Sequence, residues 1–223
     1  MSLTHNPSPL RTIKRALFAA CGFALIGACG SPVEPVRVEG SCFVIEGEFW
    51  RAEFERFREL YEAQPQIRCL ELRASPGGAT YGALLIGQMA RERGMRTVAR
   101  GRCVSACALA FLGGTRRELG PALRGDPTVL LLHGSFDRST GQPDAMFRES
   151  IRAWVSERTS GRMPAALLVE ALDIADPAGG LIVAAGTGSG AVRVCPGEPA
   201  RGSCRVVPGA SAASLGITAL DGG

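Results

Sequence analysis

Three short apolar runs, each followed at once by a group that could do chemistry, constrain the fold of this chain most strongly. Residues 70–78 end in Ser-Pro-Gly-Gly, residues 103–107 enclose Ser105, and residues 129–134 carry a run of leucines that ends at His133. Helix-length segments separate the runs. Short apolar strands joined by helical crossovers form a parallel sheet with right-handed connections, so the sequence predicts an α/β domain. The strand ends would present a backbone N–H, a hydroxyl and an imidazole.

The composition limits the choice of catalytic base. The chain contains one lysine, Lys14, and two histidines, His5 and His133. Lys14 and His5 lie in an amino-terminal segment that we expect to be removed, so a nitrogen base in the mature protein would be His133. A serine–lysine dyad is therefore excluded, whereas a serine–histidine arrangement needs only the histidine that remains.

The amino terminus is typical of a secretory signal. Three basic residues between positions 11 and 15 precede the apolar residues 16–28, a run of 13 that is too short to span a bilayer. The run ends in Leu-Ile-Gly-Ala-Cys, which resembles the lipobox of bacterial lipoproteins, in which the cysteine is lipidated. We expect residues 1–28 to be a signal peptide of the lipoprotein type and Cys29 to carry the lipid. Ordinary cleavage after Gly30 is the alternative.

The remaining chain is predicted to be a tether, residues 29–40, followed by one domain, residues 41–223. A chain of 223 residues with 46% hydrophobic content can bury one sizeable core. Its net charge of +4 falls to about +1 without the signal, and its arginines alternate with acids, so we expect no nucleic-acid partner. By resemblance to lipoproteins, the absence of aspartate at position 30 implies export to the periplasm and anchoring to the outer membrane through the lipid.

Export also decides how the cysteines are interpreted. Six remain beyond Cys21 and Cys29, and an even number in an oxidising compartment favours disulfides. Zinc binding by Cys103, Cys107 and His133 is an alternative that lacks a fourth ligand, so we expect no metal and no cofactor. Proximity in the sequence suggests the pairs Cys195–Cys204, Cys103–Cys107 and, by what remains, Cys42–Cys69.

Hydrophobic periodicity predicts the individual elements. The strands are residues 41–47, 67–74, 95–100 and 128–133, and the helices are residues 48–61, 79–93, 104–112, 144–160 and 163–172. Residues 135–143 are a polar loop, residues 181–190 are rich in glycine and alanine, and residues 192–207 are a hairpin pinned by its cysteines.

Residues 67–133 resemble the proteolytic subunit of Clp protease (ClpP) and its relatives, the superfamily shared with crotonase and signal peptide peptidase A. More closely, they resemble exported bacterial proteins of that superfamily. In the Clp family a Ser-Pro-Gly-Gly turn is followed by a helix, a strand, a serine that opens the next helix and a histidine that ends a strand. Residues 75–78, Ser105 and His133 have that order. The resemblance implies a ClpP/crotonase-like spiral of βαβ units with a mainly parallel sheet. The chain departs from the family where Cys-Val-Ser-Ala-Cys replaces Gly-x-x-x-Ser, which bears on substrate access.

The resemblance also implies a set of site residues. Ser105 would be the nucleophile and His133 the general base. The backbone N–H groups of Gly78, with Gly77 beside it, and of Ala106 would form the oxyanion hole, because glycine lets the backbone approach a substrate without a Cβ in the way.

The third member of the triad would follow well after the histidine. Asp176, at the start of a loop, is preferred to Asp173, and a dyad oriented by a backbone carbonyl is a further possibility. The implied protein is an exported serine hydrolase that acts on peptide or protein substrates and could form a homo-oligomer. The alternatives are a non-catalytic envelope protein, in which Ser105 and His133 are structural, and crotonase-type acyl-CoA chemistry, which export disfavours.

Overall fold

The computed structural model describes residues 33–185, 190–199 and 204–219. From Glu34 onward they belong to one compact unit. The predicted signal peptide, Cys29 and the next three residues of the predicted tether lie outside the described residues. None of the described helices is long and apolar enough to cross a membrane.

The described part of the chain contains five α-helices and twelve strands, with single turns of 3₁₀-helix at Ala145–Phe147 and Ala213–Leu215. The helices are α1 (Arg51–Ala63), α2 (Thr80–Glu92), α3 (Ala106–Leu112), α4 (Arg148–Arg158) and α5 (Ala165–Leu172). The strands are β1 (Val36–Glu39), β2 (Cys42–Glu46), β3 (Cys69–Ser75), β4 (Arg96–Val104), β5 (Arg116–Leu119), β6 (Val129–Leu132), β7 (Ser135–Phe136), β8 (Pro143–Asp144), β9 (Gly180–Ala184), β10 (Val192–Cys195), β11 (Arg205–Val206) and β12 (Thr218–Ala219).

One large sheet organises the domain in the order β1-β2-β3-β4-β6-β9-β10-β11, and β5 and β12 branch from β4. The centre of the sheet is parallel, since β2 pairs with β3, β3 with β4, and β4 with both β5 and β6 in that sense. α1, α2 and α3 form the crossovers between these strands. The predicted α/β class with a mainly parallel sheet is therefore confirmed.

The helices pack against one another in chain order and share one hydrophobic cluster with the sheet. All seven residues of α3 are buried, as expected for a helix that is apolar on every side. α2 and α3 approach closely because they meet at glycines: a Cβ at Gly113 would lie 2.3 Å from the Cα of Gly87. This packing fixes the position at which α3 begins, and Ser105 immediately precedes it.

The amino-terminal edge of the sheet corrects the predicted tether. Val36–Glu39 forms β1 and pairs antiparallel with β2, with Val36 opposite Ile45. Two valines among charged residues gave too weak a signal to predict an element. The strand forms because all four of its residues pair with β2 and Val36 is buried, and Arg37 also forms ion pairs with Glu39 and, at 2.9 Å, with Glu46.

The carboxyl-terminal half is antiparallel. β9, in the segment described above only as rich in glycine and alanine, pairs antiparallel with β6, and β10 pairs antiparallel with β9. The predicted hairpin is confirmed, since β10 and β11 are antiparallel and the disulfide Cys195–Cys204 joins their ends. The structure also contains Cys103–Cys107, which proximity in the sequence suggests, and Cys42–Cys69, the pair that the other two leave.

Candidate active site

The Ser-Pro-Gly-Gly turn lies directly against the serine that precedes α3. β3 ends at Ser75, whose buried Oγ accepts a hydrogen bond of 3.2 Å from the N–H of Gly77. Gly77 has a φ of +106°, which side chains rarely adopt. A Cβ at Gly77 would lie 2.8 Å from the carbonyl oxygen of Val104 and 3.0 Å from the Cβ of Ser105. Only glycine allows this contact between the turn and the serine.

A short backbone bridge holds the second glycine of the turn. The N–H of Phe49 donates to Gly77 O at 3.0 Å, and the N–H of Ala79 donates to Phe49 O at 3.1 Å. These two hydrogen bonds form a parallel bridge between Phe49 and Gly78. In such a bridge the N–H of Gly78 points away from Phe49. A Cβ at Gly78 would lie 1.9 Å from Phe49 O. Within the described residues the Gly78 N–H has no acceptor, so it is available to a bound group.

Ser105 occupies the junction between β4 and α3 in a strained conformation. Its φ is +58° and its ψ is −123°. A left-handed backbone at a non-glycine residue costs about 1–3 kcal/mol and occurs mostly where surrounding structure imposes it. Here the N–H of Ser105 donates to Leu131 O at 2.8 Å, and the Cys103–Cys107 disulfide encloses the residue. A serine at a sharp strand-to-helix turn has its Oγ presented at the end of the sheet.

Within the part of the chain that the structure describes, the first N–H group of α3 is a second donor without an acceptor. Ala106 is the first residue of the helix, so its N–H has no partner within the helix. The nitrogen lies 3.1 Å from the position that a Cβ would occupy on Gly77. Ala106 and Gly78 therefore offer two backbone donors close to Gly77 and to the serine.

His133 follows the neighbouring strand. β4 and β6 are parallel with Val104 opposite Leu131, so Ser105 and His133 both lie just beyond the carboxyl ends of adjacent strands. His133 is 6% exposed, and the ring of Phe136 stands edge-on to it with centroids 5.1 Å apart. Its Nδ1 lies 2.6 Å from Gly134 O. Because a carbonyl can only accept, Nδ1 carries the proton and Nε2 has a free lone pair.

The structure does not connect all the predicted catalytic residues by hydrogen bonds. Within the described chain no hydrogen bond links the Oγ of Ser105 to the ring of His133. Asp176, the predicted third member, lies in an exposed turn where its Oδ1 accepts the N–H of Ala178 at 2.8 Å, and Asp173 pairs with Arg148 instead. The carbonyl of Gly134 contacts Nδ1 in place of a carboxylate.

The predicted polar loop after His133 has a structure that its sequence did not suggest. β7 and β8 pair as a two-stranded ribbon. Ser135 Oγ lies 3.3 Å from Thr80 Oγ1 at the start of α2, and the guanidinium of Arg138 lies 4.5 Å from the centre of the Trp50 ring. These contacts connect the segment after His133 to the Ser-Pro-Gly-Gly side of the site. They join residues far apart in the chain, and single-sequence periodicity carries no signal for them.

Burial determines the protonation state of His133. Desolvation lowers the pKa of the imidazole below its usual value, opposed by the weaker effect of the Gly134 carbonyl, which favours the charged form. The neutral ring is the form that can accept a proton from a serine. Cys103 and Cys107, which zinc binding would require as thiolates, are joined in a disulfide. No group of three or more potential metal ligands occurs in the described residues.

The lowered pKa of His133 predicts that the protein loses stability as the pH falls from 7 to 5. Below the usual histidine pKa of about 6.5 the unfolded chain takes up a proton that the buried ring resists, so the unfolded state is favoured. Urea unfolding of the wild type and of His133→Gln at pH 7, 6 and 5 measures the effect. As the pH falls, the wild type should lose more of its unfolding free energy than His133→Gln does. A constant difference would show that His133 is not held neutral.

The chain is similar in structure to several solved proteases. The ClpP catalytic domain from Plasmodium falciparum has a TM-score of 0.45 and 14% identity, over 58% of this chain and 73% of that one. ClpP1 from Listeria monocytogenes has a TM-score of 0.46 and 17% identity, over 57% and 76%. A membrane-bound stomatin-specific protease in complex with a substrate peptide has a TM-score of 0.44 and 13% identity, over 58% and 64%. No protein-family model and no curated protein matches the chain. At this similarity the chemistry of the site must be argued from its own geometry.

Proposed function

We propose that the protein is a serine hydrolase that cleaves peptide bonds. Ser105 is the nucleophile, His133 the general base, and the N–H groups of Gly78 and Ala106 the oxyanion donors. The observation that carries the proposal is the close approach of Gly77 to Ser105 and Ala106: a Cβ added at Gly77 would lie 3.0 Å from Ser105 Cβ and 3.1 Å from Ala106 N. Two backbone donors without acceptors in the described residues and a strained serine therefore lie near one another. The Ser-Pro-Gly-Gly, serine and histidine order favours a peptide substrate.

Hydrolysis would proceed through an acyl-enzyme. Ser105 Oγ attacks the substrate carbonyl, its proton passes to Nε2 of His133, and the developing oxyanion accepts hydrogen bonds from Gly78 and Ala106. The imidazolium returns the proton to the leaving amine, and a water repeats the sequence to release the acid. The Nδ1–H bond to Gly134 O orients the ring throughout. Ser105 Oγ makes no hydrogen bond within the described residues, so its rotation toward His133 breaks none.

One observation favours a second function. The missing hydrogen bond between Ser105 and His133 is also expected if the site only binds a ligand, in a non-catalytic envelope protein. The catalytic bond often tightens only when substrate is bound. A chemical test of the serine therefore separates the two functions.

A fluorophosphonate probe reacts with a serine only when a base and an oxyanion hole activate it. We expect the native protein to be labelled on Ser105 and Ser105→Ala to remain unlabelled. Ser156→Ala, which removes an exposed serine on α4, is the matched control and should be labelled like the wild type. Absence of labelling in the folded native protein, or equal labelling of Ser105→Ala, would favour the binding protein.

We also propose that the protein is exported and attached to the outer membrane through a lipid on Cys29. The three disulfides of the described residues support an oxidising compartment. Fractionation of cells that produce the protein tests the anchor: the wild type should sediment with outer membranes, and Cys29→Ala should not. Equal distribution of both proteins would contradict it. Assembly into a homo-oligomer rests on the family resemblance alone.

A further inference from the structure

A small cavity lies on the sheet face opposite the helices. Along β6, Leu130 and Leu132 belong to the cluster that includes the helices, whereas Leu131 packs with Ile182 and Cys195 in a separate one. The cavity has a volume of about 260 Å³, and Leu131 and Ile182, each 3% exposed, line it. Ligand pockets usually measure about 300–1,000 Å³. The cavity therefore suits the end of a chain rather than a whole ligand.

The register of the sheet connects this cavity to Ser105. Val104 is opposite Leu131, Leu131 is opposite Ile182, and Ile182 is opposite Arg193. Residues opposite one another on neighbouring strands share a face of the sheet, so these four form one row across it. Neighbouring strands are about 4.8 Å apart, which places Arg193 about 14 Å from Val104. The row thus begins at the residue before the proposed nucleophile and ends at a cation.

The charges around the cavity are unbalanced. Arg102 and Arg193 both line it, and neither forms an ion pair within the described residues. Within the described residues, the buried Nε of the half-buried Arg193 has no hydrogen-bond acceptor. Asp126 is the one acid among the described lining residues, and it pairs with neither arginine. A buried N–H without an acceptor is costly, so an anion bound in the cavity would supply the acceptor that this N–H needs.

The Cys195–Cys204 disulfide holds one side of the cavity in place. Cys195 is fully buried, packs with Leu131 and Ile182, and lies two residues after Arg193, on the same face of β10. The bond holds β10 to the segment that leads into β11. Arg193 is therefore presented from a strand that is held on both sides, by β9 and by the disulfide-linked β11.

We propose that this cavity binds a carboxylate at the end of a substrate chain, with apolar atoms on Leu131 and Ile182 and the carboxylate at Arg193. This inference rests on the proposed hydrolase function, because the row of residues that leads to Arg193 begins at Val104, next to the proposed nucleophile Ser105. Two extended residues beyond the scissile bond span about 7 Å, and the Arg193 side chain spans the remaining distance. A carboxyl-terminal carboxylate and a terminal acidic side chain carry the same chemistry. Arg102 adds a second positive charge at the entrance.

Binding to the inactive Ser105→Ala protein tests the pocket independently of catalysis. The probe is an acetylated pentapeptide ending in two leucines, as the free acid and as the amide, with titration followed by calorimetry. We expect the acid to bind about 10- to 100-fold more tightly than the amide, the advantage of a hydrogen bond to a charged partner. Arg193→Met, which keeps the apolar stem, should remove the difference, and Arg193→Lys should restore part of it. Arg152→Met, at an exposed position on α4, is the control and should leave the difference intact.

An amidated peptide that ends in glutamate distinguishes the two sources of the carboxylate. If it binds as tightly as the free acid, the pocket accepts a side-chain carboxylate; if it binds like the leucine amide, the pocket selects a chain terminus. Equal binding of acid and amide, no measurable binding of either, or a difference that persists in Arg193→Met overturns the proposal. Thermal unfolding of each variant checks that it is folded. Binding that depends on Arg193 in a protein that fluorophosphonate does not label would retain the pocket and reject the hydrolase.

Discussion

Replacing Ser105 by alanine is expected to lower kcat/KM for peptide or ester hydrolysis by about 10⁴-fold or more, because it removes the nucleophile. Alanine has the same Cβ, so the backbone at φ +58° is equally strained in both proteins and the free energy of unfolding should be unchanged. His133→Gln should cost nearly as much, because a glutamine cannot take the serine proton. Hydrolysis of p-nitrophenyl acetate and of dye-labelled casein measures both losses.

The double variant gives the sharper result. If Ser105 and His133 act as one unit, Ser105→Ala/His133→Gln should be no slower than Ser105→Ala alone, since a base has no function without its nucleophile. Ser156→Ala provides the wild-type reference. Losses that multiply in the double variant would mean that the two side chains act separately, and full activity in Ser105→Ala would assign the hydrolysis to another site.

The central part of the fold could be predicted because its signals are local. The apolar runs that contain Leu70 and Leu130 became β3 and β6, in which both leucines are buried, and the helices between them formed close to their predicted ends. The disulfide pairs followed from proximity in the sequence. The position of Ser105 at the start of a helix also followed, because a strand, a small-residue segment and an apolar helix succeed one another within residues 96–112.

The remaining features depend on contacts between distant segments. β1 depends on the pairing of Val36 with Ile45 and on the ion pair of Arg37 with Glu46, and β9 depends on antiparallel pairing with β6 on one side and β10 on the other. The hydrophobic pattern within β1 or within β9 does not indicate which strand each one pairs with. The group that contacts Nδ1 of His133 is a backbone carbonyl, which the sequence left open as an alternative to Asp176; because every residue has a carbonyl, the sequence could not say which one it would be.

The conformation of Ser105 shows how the fold and the site depend on each other. A cost of about 1–3 kcal/mol for a left-handed serine must be offset by the neighbouring structure. The bond from its N–H to Leu131 O, the Cys103–Cys107 disulfide and the fully buried α3 supply that structure. The turn at Gly77 then covers the junction from the β3 side.

Gly77→Ala is expected to lower kcat by about 10²- to 10³-fold, the usual cost of losing one oxyanion donor, with little change in KM. The new methyl group would lie 3.1 Å from the nitrogen of Ala106, about the distance that an oxyanion oxygen takes from its donor, and 3.0 Å from the Cβ of Ser105. It would therefore occupy the position of the developing charge or displace the serine. Since oxyanion donors act mainly in the transition state, the loss should appear in kcat.

The same substitution also carries a backbone cost, because Gly77 has a positive φ, and a matched control separates the two effects. Gly94 has a φ of +66°, and a Cβ there would meet nothing within 4 Å. Gly94→Ala should therefore lower the free energy of unfolding by about 1–3 kcal/mol, as expected for strain, and leave kcat unchanged. Thermal unfolding and steady-state kinetics of the two variants provide the comparison. If both alanines reduce kcat equally, the activity follows stability alone and Gly77 does not border the reacting atoms. A loss of kcat confined to Gly77→Ala would support an oxyanion bound by Gly78 and Ala106, because the new methyl group would lie 3.1 Å from the Ala106 nitrogen and belongs to the residue next to Gly78.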